Sequence, residues 1–430
     1  MLVRNKGINK DIWINSYPIL LWLLTEPLAG LVDSRIAGII GIDTLSSVGI
    51  GTTIYFVFTW VFVFLAYGTT PLVAKLKINN EFNNLKYFIF FGRKISILLG
   101  FLAFVFIFYF NDFFISLFKP TEDISELSST YLVVRAIGIP FYLLNMHSTA
   151  VLRGLRYPNI TFQSSIIVTL TNIVLSYFLG IVIGLGVLGI GLASSISFFI
   201  ASMYVINIQQ KKMNKFSSSK ESINEKELRK KFFSVGGTII LRSAFLTGFM
   251  ALLSNQASRL SMNDVALHHV LNQIWTFGYT FIDALAIASQ TLVSEHISKG
   301  KKYFGSDLYK ALLKITTIFS IVLTVIAYLS IEFLTELISN QIFIQLQSNY
   351  LLILFSLTLF FGSYAFLWDG VLLGLDKNKE FAYTTIISSI IGAAVLLLLI
   401  ANYGTINIVW FSLLVSIIFR ALIGGYFQRK

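Results

Sequence analysis

Long apolar stretches, each about one bilayer crossing in length, alternate with short polar segments along most of this chain. Read in order, they predict twelve spans: 12–40, 47–72, 88–110, 129–152, 160–184, 187–208, 235–259, 264–293, 309–333, 347–374, 381–401 and 404–427. A helix needs about 20 apolar residues to cross the hydrocarbon core. Inside that core every backbone polar group must be satisfied internally, so the spans are helices or strands of a closed barrel. The runs are continuous, as from Ile387 to Ile400, and lack the alternation of barrel strands, so helices are expected. Pro27 and Pro140 fall inside spans, where a missing backbone hydrogen bond allows a kink. Pro27 is the candidate hinge of the first span.

Composition agrees with the pattern. Of 430 residues, 56% are hydrophobic and 13% charged, whereas a soluble chain is nearer half apolar and about a quarter charged. A net charge of +12 in a soluble protein would suggest nucleic acid. Here 27 of the 33 Lys and Arg fall in one set of alternating polar segments and only Arg35, Lys119 and Arg259 in the other. The remaining three, Arg135, Arg242 and Arg420, lie within spans. This bias places both termini in the cytoplasm and requires an even number of spans. It assigns the positive charge to topology and anionic lipid, and no nucleic-acid partner is expected. The first apolar stretch is long, contains Glu26 and Asp33 and has no small-residue cleavage site, so no signal peptide is expected. There are no cysteines, which excludes disulfides and thiolate chemistry.

The stretch 209–231 is the one Ser- and Lys-rich linker, and it divides the spans into six and six. The expected organisation is a lobe over 1–208, the cytoplasmic linker over 209–231 and a second lobe over 232–430. An offset of 220 residues brings the halves into register: Pro71-Leu72-Val73 falls on Thr291-Leu292-Val293, and Val151-Leu152-Arg153-Gly154-Leu155 on Val371-Leu372-Leu373-Gly374-Leu375. With six spans each, both repeats enter from the same side, so two parallel six-helix bundles are expected. All six prolines lie in the first half, which suggests unequal roles for similar lobes.

Charges inside a bilayer are costly and usually face a cavity or a partner. Asp33 lies toward the outer end of the first span. It is either an interfacial residue paired with Arg35 or a protonatable carboxylate facing a cavity, and the apolar run from Ile36 to Ile42 beyond it favours the second. Asp283 is near the middle of the eighth span, within reach of Thr280. Asp369 sits near the inner end of the tenth, close to Lys377. Arg135 and Arg242 lie about two turns inside their spans, placed to snorkel or to pair with an intramembrane Asp. Gln163 and Asn172 on the fifth span read as helix–helix contacts or ligands. Of the histidines, His268 and His269 point about 100° apart on a helix and form no chelate. His147 and His296 stand alone, so no metal is expected. There is no Gly-x-Ser-x-Gly elbow and no phosphate loop. An ATP-driven pump or a hydrolase is unsupported, and neither an enzyme nor a cofactor is expected.

The stretch from Glu26 to Asp33 (EPLAGLVD), followed by Leu45 to Gly51 (LSSVGIG), resembles the first span and turn of the multidrug and toxic compound extrusion (MATE) family. Val151 to Gly154 with Pro158, and Asn172-Ile-Val-Leu, resemble it too. Within the family the DinF-like branch is similar in Tyr131 to Arg135 with Pro140, Leu241-Arg242-Ser243, Ala266-Leu267-His268, Phe281-Ile282-Asp283 and Asp369-Gly370. The resemblance spans nearly the whole chain. It implies an all-α, twelve-helix antiporter of two lobes that exports amphipathic, mostly cationic compounds against protons or sodium ions. It implies that Asp33 and Asn172 belong to a proton-coupling site. The family's second carboxylate is replaced by Ser176, which leaves one carboxylate where two are usual. The acidic residue that other branches carry on the seventh span is absent, which argues against a sodium site there.

The expected function is therefore secondary, proton-coupled export of small organic compounds by alternating access. The protein is expected to act as a monomer in the plasma or inner membrane. A lipid-linked oligosaccharide flippase of the same superfamily is the rival, drawing on Arg135 and Arg242. A membrane-embedded enzyme would need a clustered catalytic constellation that the sequence does not offer.

Overall fold

The computed structural model describes residues 12, 16, 20, 23–214, 223–298, 300–338 and 349–429. Part of the expected linker, 215–222, and the first residues of the expected tenth span lie outside the described residues, as do most positions of the first span before Leu23. The described chain is helical. In order the helices are α1 (Thr25–Ile40), α2 (Ile42–Trp60), α3 (Phe64–Tyr67), α4 (Thr69–Ile78), α5 (Phe82–Ser116), α6 (Glu122–Ala136), α7 (Ile139–Gly154) and α8 (Pro158–Tyr177). They continue as α9 (Gly186–Met213), α10 (Glu225–Leu260), α11 (Met262–Ser298), α12 (Asp307–Ile338), α13 (Asn349–Gly374), α14 (Asn378–Tyr403) and α15 (Ile406–Phe427). Among the described residues eight helices are long and apolar enough to cross a membrane, or nine if α6 and α7 form one bent span. The protein is an all-helical, multi-pass membrane protein.

Local sequence explains the breaks. The expected fourth span is divided between α6 and α7 with a bend of 43°. Pro140 stands in the first turn of α7; it donates no backbone bond, and its ring clashes with the carbonyl four residues back. α8 begins on Pro158, where the missing N–H belongs to the unbonded first turn anyway. It passes directly into a π turn over Phe178–Val182, a widened turn of the kind found at functional positions.

The long helices are inside out relative to a soluble protein. On α5 the buried positions include Gly92, Ser96, Gly100 and Ala103, while Phe90, Phe101, Phe106, Phe108 and Phe113 are exposed. Lipid is as apolar as Phe, so burying Phe gains nothing there, whereas small residues let helices approach. A Cβ on Gly100 would stand 2.7 Å from the backbone nitrogen of Pro140, and one on Gly92 would collide with the His147 ring. Most phenylalanines of α5 are thus lipid-facing surface.

The chain forms two compact units. The first comprises Ile36–Thr247 and the second Met1–Arg35 with Gly248–Lys430. The repeat recurs inside them turn by turn. Left-handed backbone occurs at Asn80 and Gly300, at Arg156 and Asp376, and at Gly184 and Gly404, each pair related by the offset of 220. After Arg156, the Tyr157 N–H bonds the Leu152 carbonyl at 2.8 Å; after Asp376, the Lys377 N–H bonds Leu372 at 2.9 Å. A Cβ on Gly154 would lie 2.7 Å from the Thr70 carbonyl oxygen and 2.8 Å from Val73 Cβ. One on Gly374 would lie 2.7 Å from the Gln290 carbonyl oxygen and 2.9 Å from Val293 Cβ. Both glycines are required by backbone-to-backbone packing. Gly154→Ala and Gly374→Ala are each expected to destabilise by about 1–3 kcal/mol through overpacking. Thermal unfolding in detergent checks this; an unshifted midpoint in either variant would place its two helices further apart.

Candidate functional site

Asp33 occupies the middle of α1 and is 8% exposed, whereas Arg35 is exposed and donates to the Ile338 carbonyl at 3.4 Å. Residues two apart on a helix face different sides, which favours the buried-carboxylate reading over an Asp33–Arg35 surface pair. The adjacent Ser34 is fully buried, donates to the Gly30 carbonyl at 2.8 Å and lies 3.2 Å from His269 Nε2. Pro27 is buried in the first turn of α1.

Asn172 and Ser176 are buried one turn apart on α8, just before the π turn. Asn172 Nδ2 donates to Ser194 Oγ at 3.1 Å. Asn172 Oδ1 and Ser176 Oγ have no hydrogen-bond partner among the described residues. These two residues belong to the first unit and Asp33 to the second. Gln163 is exposed and accepts from the Tyr204 hydroxyl at 2.7 Å, a contact between helices.

The other intramembrane charges separate by partner. Lys377, expected close to Asp369 of α13, donates from Nζ to the Phe427 carbonyl at 3.0 Å; Asp369 is buried. Its carboxylate instead takes a charge-assisted bond from Arg420 of α15, and both side chains are buried. Arg420 also lies over the Phe366 ring, 4.9 Å from its centroid. Arg135 donates to Thr52 Oγ1 at 3.0 Å and to the Tyr131 hydroxyl, and lies 4.4 Å over the Tyr55 ring. Asp283 and Arg242 are half-buried on α11 and α10. Thr280, expected beside Asp283, donates to the Thr276 carbonyl at 2.8 Å.

Sequence reasoning missed Arg420 as a partner. The signal was present: Asp369 and Arg420 are opposite charges in apolar spans of one lobe, and such charges seek each other. It read His268 and His269 as forming no chelate; in the structure the His268 ring packs on Trp410 at 5.7 Å, while His269 faces Ser34. Among the described residues no three His, Asp or Glu side chains gather as metal ligands.

A duplicated all-helical membrane fold with ionisable side chains buried in its spans is an architecture that membrane transporters use. The MatE family model matches residues 18–178 and 238–398, and the chain belongs to that family. The second match begins and ends 220 residues after the first (238 less 18, 398 less 178), the repeat offset read from the sequence. Protein DETOXIFICATION 42 of Arabidopsis thaliana is 23% identical over 71% of this chain; the chain spans only 58% of that relative's length. DNA damage-inducible protein F of Escherichia coli is 22% identical over 96% of this chain and 90% of its own. A solved structure described as the inward-facing conformation of a multidrug resistance MATE family transporter of the MOP superfamily superposes with a TM-score of 0.82 at 18% identity. It covers 94% of this chain and 93% of that one.

Proposed function

We propose that the protein is a secondary active exporter of small amphipathic, mostly cationic organic compounds, driven by exchange with protons. The observation that carries this reading is Asp33: a carboxylate only 8% exposed on the first helix of a MatE-family chain. A protonated carboxyl is easier to bury than a carboxylate, so gain and loss of one proton can bias two packings of a helix. The names of the relatives, which speak of detoxification and multidrug resistance, support export as the direction. The buried, unpaired oxygens of Asn172 and Ser176 support a polar role for α8. Two parallel six-helix lobes, 1–208 and 232–430, joined by the cytoplasmic linker 209–231, would alternate access in the plasma or inner membrane as a monomer. Both termini are assigned to the cytoplasm by the distribution of Lys and Arg.

Transport in proteoliposomes under separately imposed proton and sodium gradients tests the reading. Efflux of a lipophilic cation is expected to follow the proton gradient and to ignore sodium. Sodium-driven efflux would exclude proton coupling, and gradient-independent translocation of a polyprenyl-linked sugar would favour a flippase.

A further inference from the structure

The helix that carries Asp33 meets α11 along a seam that the coupling reading leaves unused. On α1 the seam is Gly30 and Ser34, one turn apart; on α11 it is Gln273 and His269, also one turn apart. A Cβ on Gly30 would lie 2.5 Å from Gln273 Oε1, so the carboxamide fills the space a side chain would need. One turn along, Ser34 Oγ lies 3.2 Å from His269 Nε2. The partners rise on one helix as they fall on the other, so the two helices run antiparallel and in register here. Gly30-x-x-x-Ser34 is the small-residue spacing that lets membrane helices approach closely. The polar groups of the seam are shut away from water: Ser34 is fully buried, and His269 and Gln273 are 6% and 9% exposed.

Proton counting gives the direction of the Ser34–His269 bond. A hydroxyl has one proton to donate, and a carbonyl oxygen can only accept. The 2.8 Å contact between Ser34 Oγ and the Gly30 carbonyl therefore uses the Ser34 proton. Toward His269 the hydroxyl accepts, so Nε2 carries the hydrogen. Imidazolium and the neutral tautomer protonated at Nε2 both satisfy this. The other neutral tautomer would set two lone pairs against each other.

Place in the chain gives the seam its consequence. Asp33 directly precedes Ser34, and Arg35, which donates to the Ile338 carbonyl at 3.4 Å, follows it. Met1–Arg35 belongs to the second compact unit, and the chain from Ile36 to the first. Ser34 and Arg35 thus anchor the end of this stretch to the second unit. Successive residues rise only about 1.5 Å along a helix, so Asp33 cannot leave α11, with α1 intact, unless the bond beside it opens.

We propose that His269 is a positioning residue for proton exchange: its Nε2–H bond to Ser34 is the catch that holds the Asp33 segment of α1 against α11 in one of the two packings of the cycle. The proposal rests on the coupling reading of Asp33 and adds the residue that fixes where Asp33 stands. A single hydrogen bond between helices costs far less to open than a buried ion pair such as Asp369–Arg420, so this contact suits repeated release.

Two measurements test it. Nitrogen-15 NMR of histidine-labelled full-length protein in nanodiscs reads the bond directly, and a His269→Gln spectrum identifies the His269 signals among those of the four histidines. A protonated Nε2 is expected, with a shift that changes in Ser34→Ala. An unprotonated Nε2, or a shift indifferent to Ser34→Ala, would overturn the proposal. The second measurement is efflux of a lipophilic cation from proteoliposomes under an imposed pH gradient, expressed per folded protein from thermal unfolding. Ser34→Ala keeps a small residue in the seam and removes the acceptor; His269→Leu removes the donor. Each is expected to slow efflux about tenfold, the population shift that follows loss of one buried hydrogen bond. The double variant should be no slower than either single one, because both remove the same interaction. His269→Gln, whose amide N–H can still reach Ser34, should keep most of the rate. A merely structural role would lower the unfolding midpoint and leave efflux per folded protein unchanged; that result, or equal slowing by Gln and Leu, overturns the proposal. Should His269→Leu not fold, Ser34→Ala and His269→Gln decide between slowing and rescue. Absence of proton-driven efflux from the unaltered protein overturns the coupling reading itself, whereas proton-driven efflux that the folded variants leave unchanged overturns this proposal alone.

Discussion

Asp33→Asn is expected to abolish proton-driven export while leaving the protein folded. Asparagine has nearly the shape of aspartic acid but is locked in an uncharged state. It should mimic the protonated form and hold its helix in one packing, so the exchange cycle stops. Stability should not fall, because the variant no longer buries a group that can ionise at a position only 8% exposed. The measurement is efflux from proteoliposomes under an imposed pH gradient, beside a thermal unfolding curve of the same preparation. Near-normal transport by well-folded Asp33→Asn protein would remove Asp33 from the mechanism. Complete loss on Asp283→Asn, with Asp33→Asn tolerated, would move the coupling group to α11.

The second large effect is on stability. Asp369 and Arg420 are buried together between α13 and α15. Removing one partner leaves the other charge uncompensated in a dry interior, a loss of about 3–5 kcal/mol. Arg420→Leu and Asp369→Leu are each expected to lower the unfolding midpoint sharply. The double variant should recover most of the loss, because well-packed apolar residues replace a buried pair at little cost. A double-mutant cycle in detergent measures this. Additive losses would show that the two side chains do not depend on each other. The contrast with Asp33 is one of role: a carboxylate bonded to Arg420 suits structure, whereas Asp33 is the proposed coupling group.

Much of this protein is legible in one dimension. Continuous apolar runs can only be membrane helices, because unsatisfied backbone is intolerable in lipid. The offset of 220 is visible in Gly154 and Gly374, and the structure shows its cause: a side chain at either position would strike the carbonyl of Thr70 or Gln290. The bend at Pro140 follows from the missing N–H and was foreseeable from the residue type. Asp33 stands out for its cost alone.

What the chain did not reveal is which residue meets which. Helices that are apolar on every side carry no clear stripe to say which face turns inward. In lipid, small residues and polar contacts set that rotation. Nothing local links Asp369 to Arg420, fifty-one positions later, or His268 to Trp410. Lys377 was the nearer cation in sequence, yet its amine is held by the Phe427 carbonyl. The sequence by itself determined that the chain spans a membrane as helices, twice over, with few costly charges. Only the tertiary structure decided how those charges and polar groups are shared out, because pairing between helices depends on rotation and crossing, which hydrophobic periodicity does not encode.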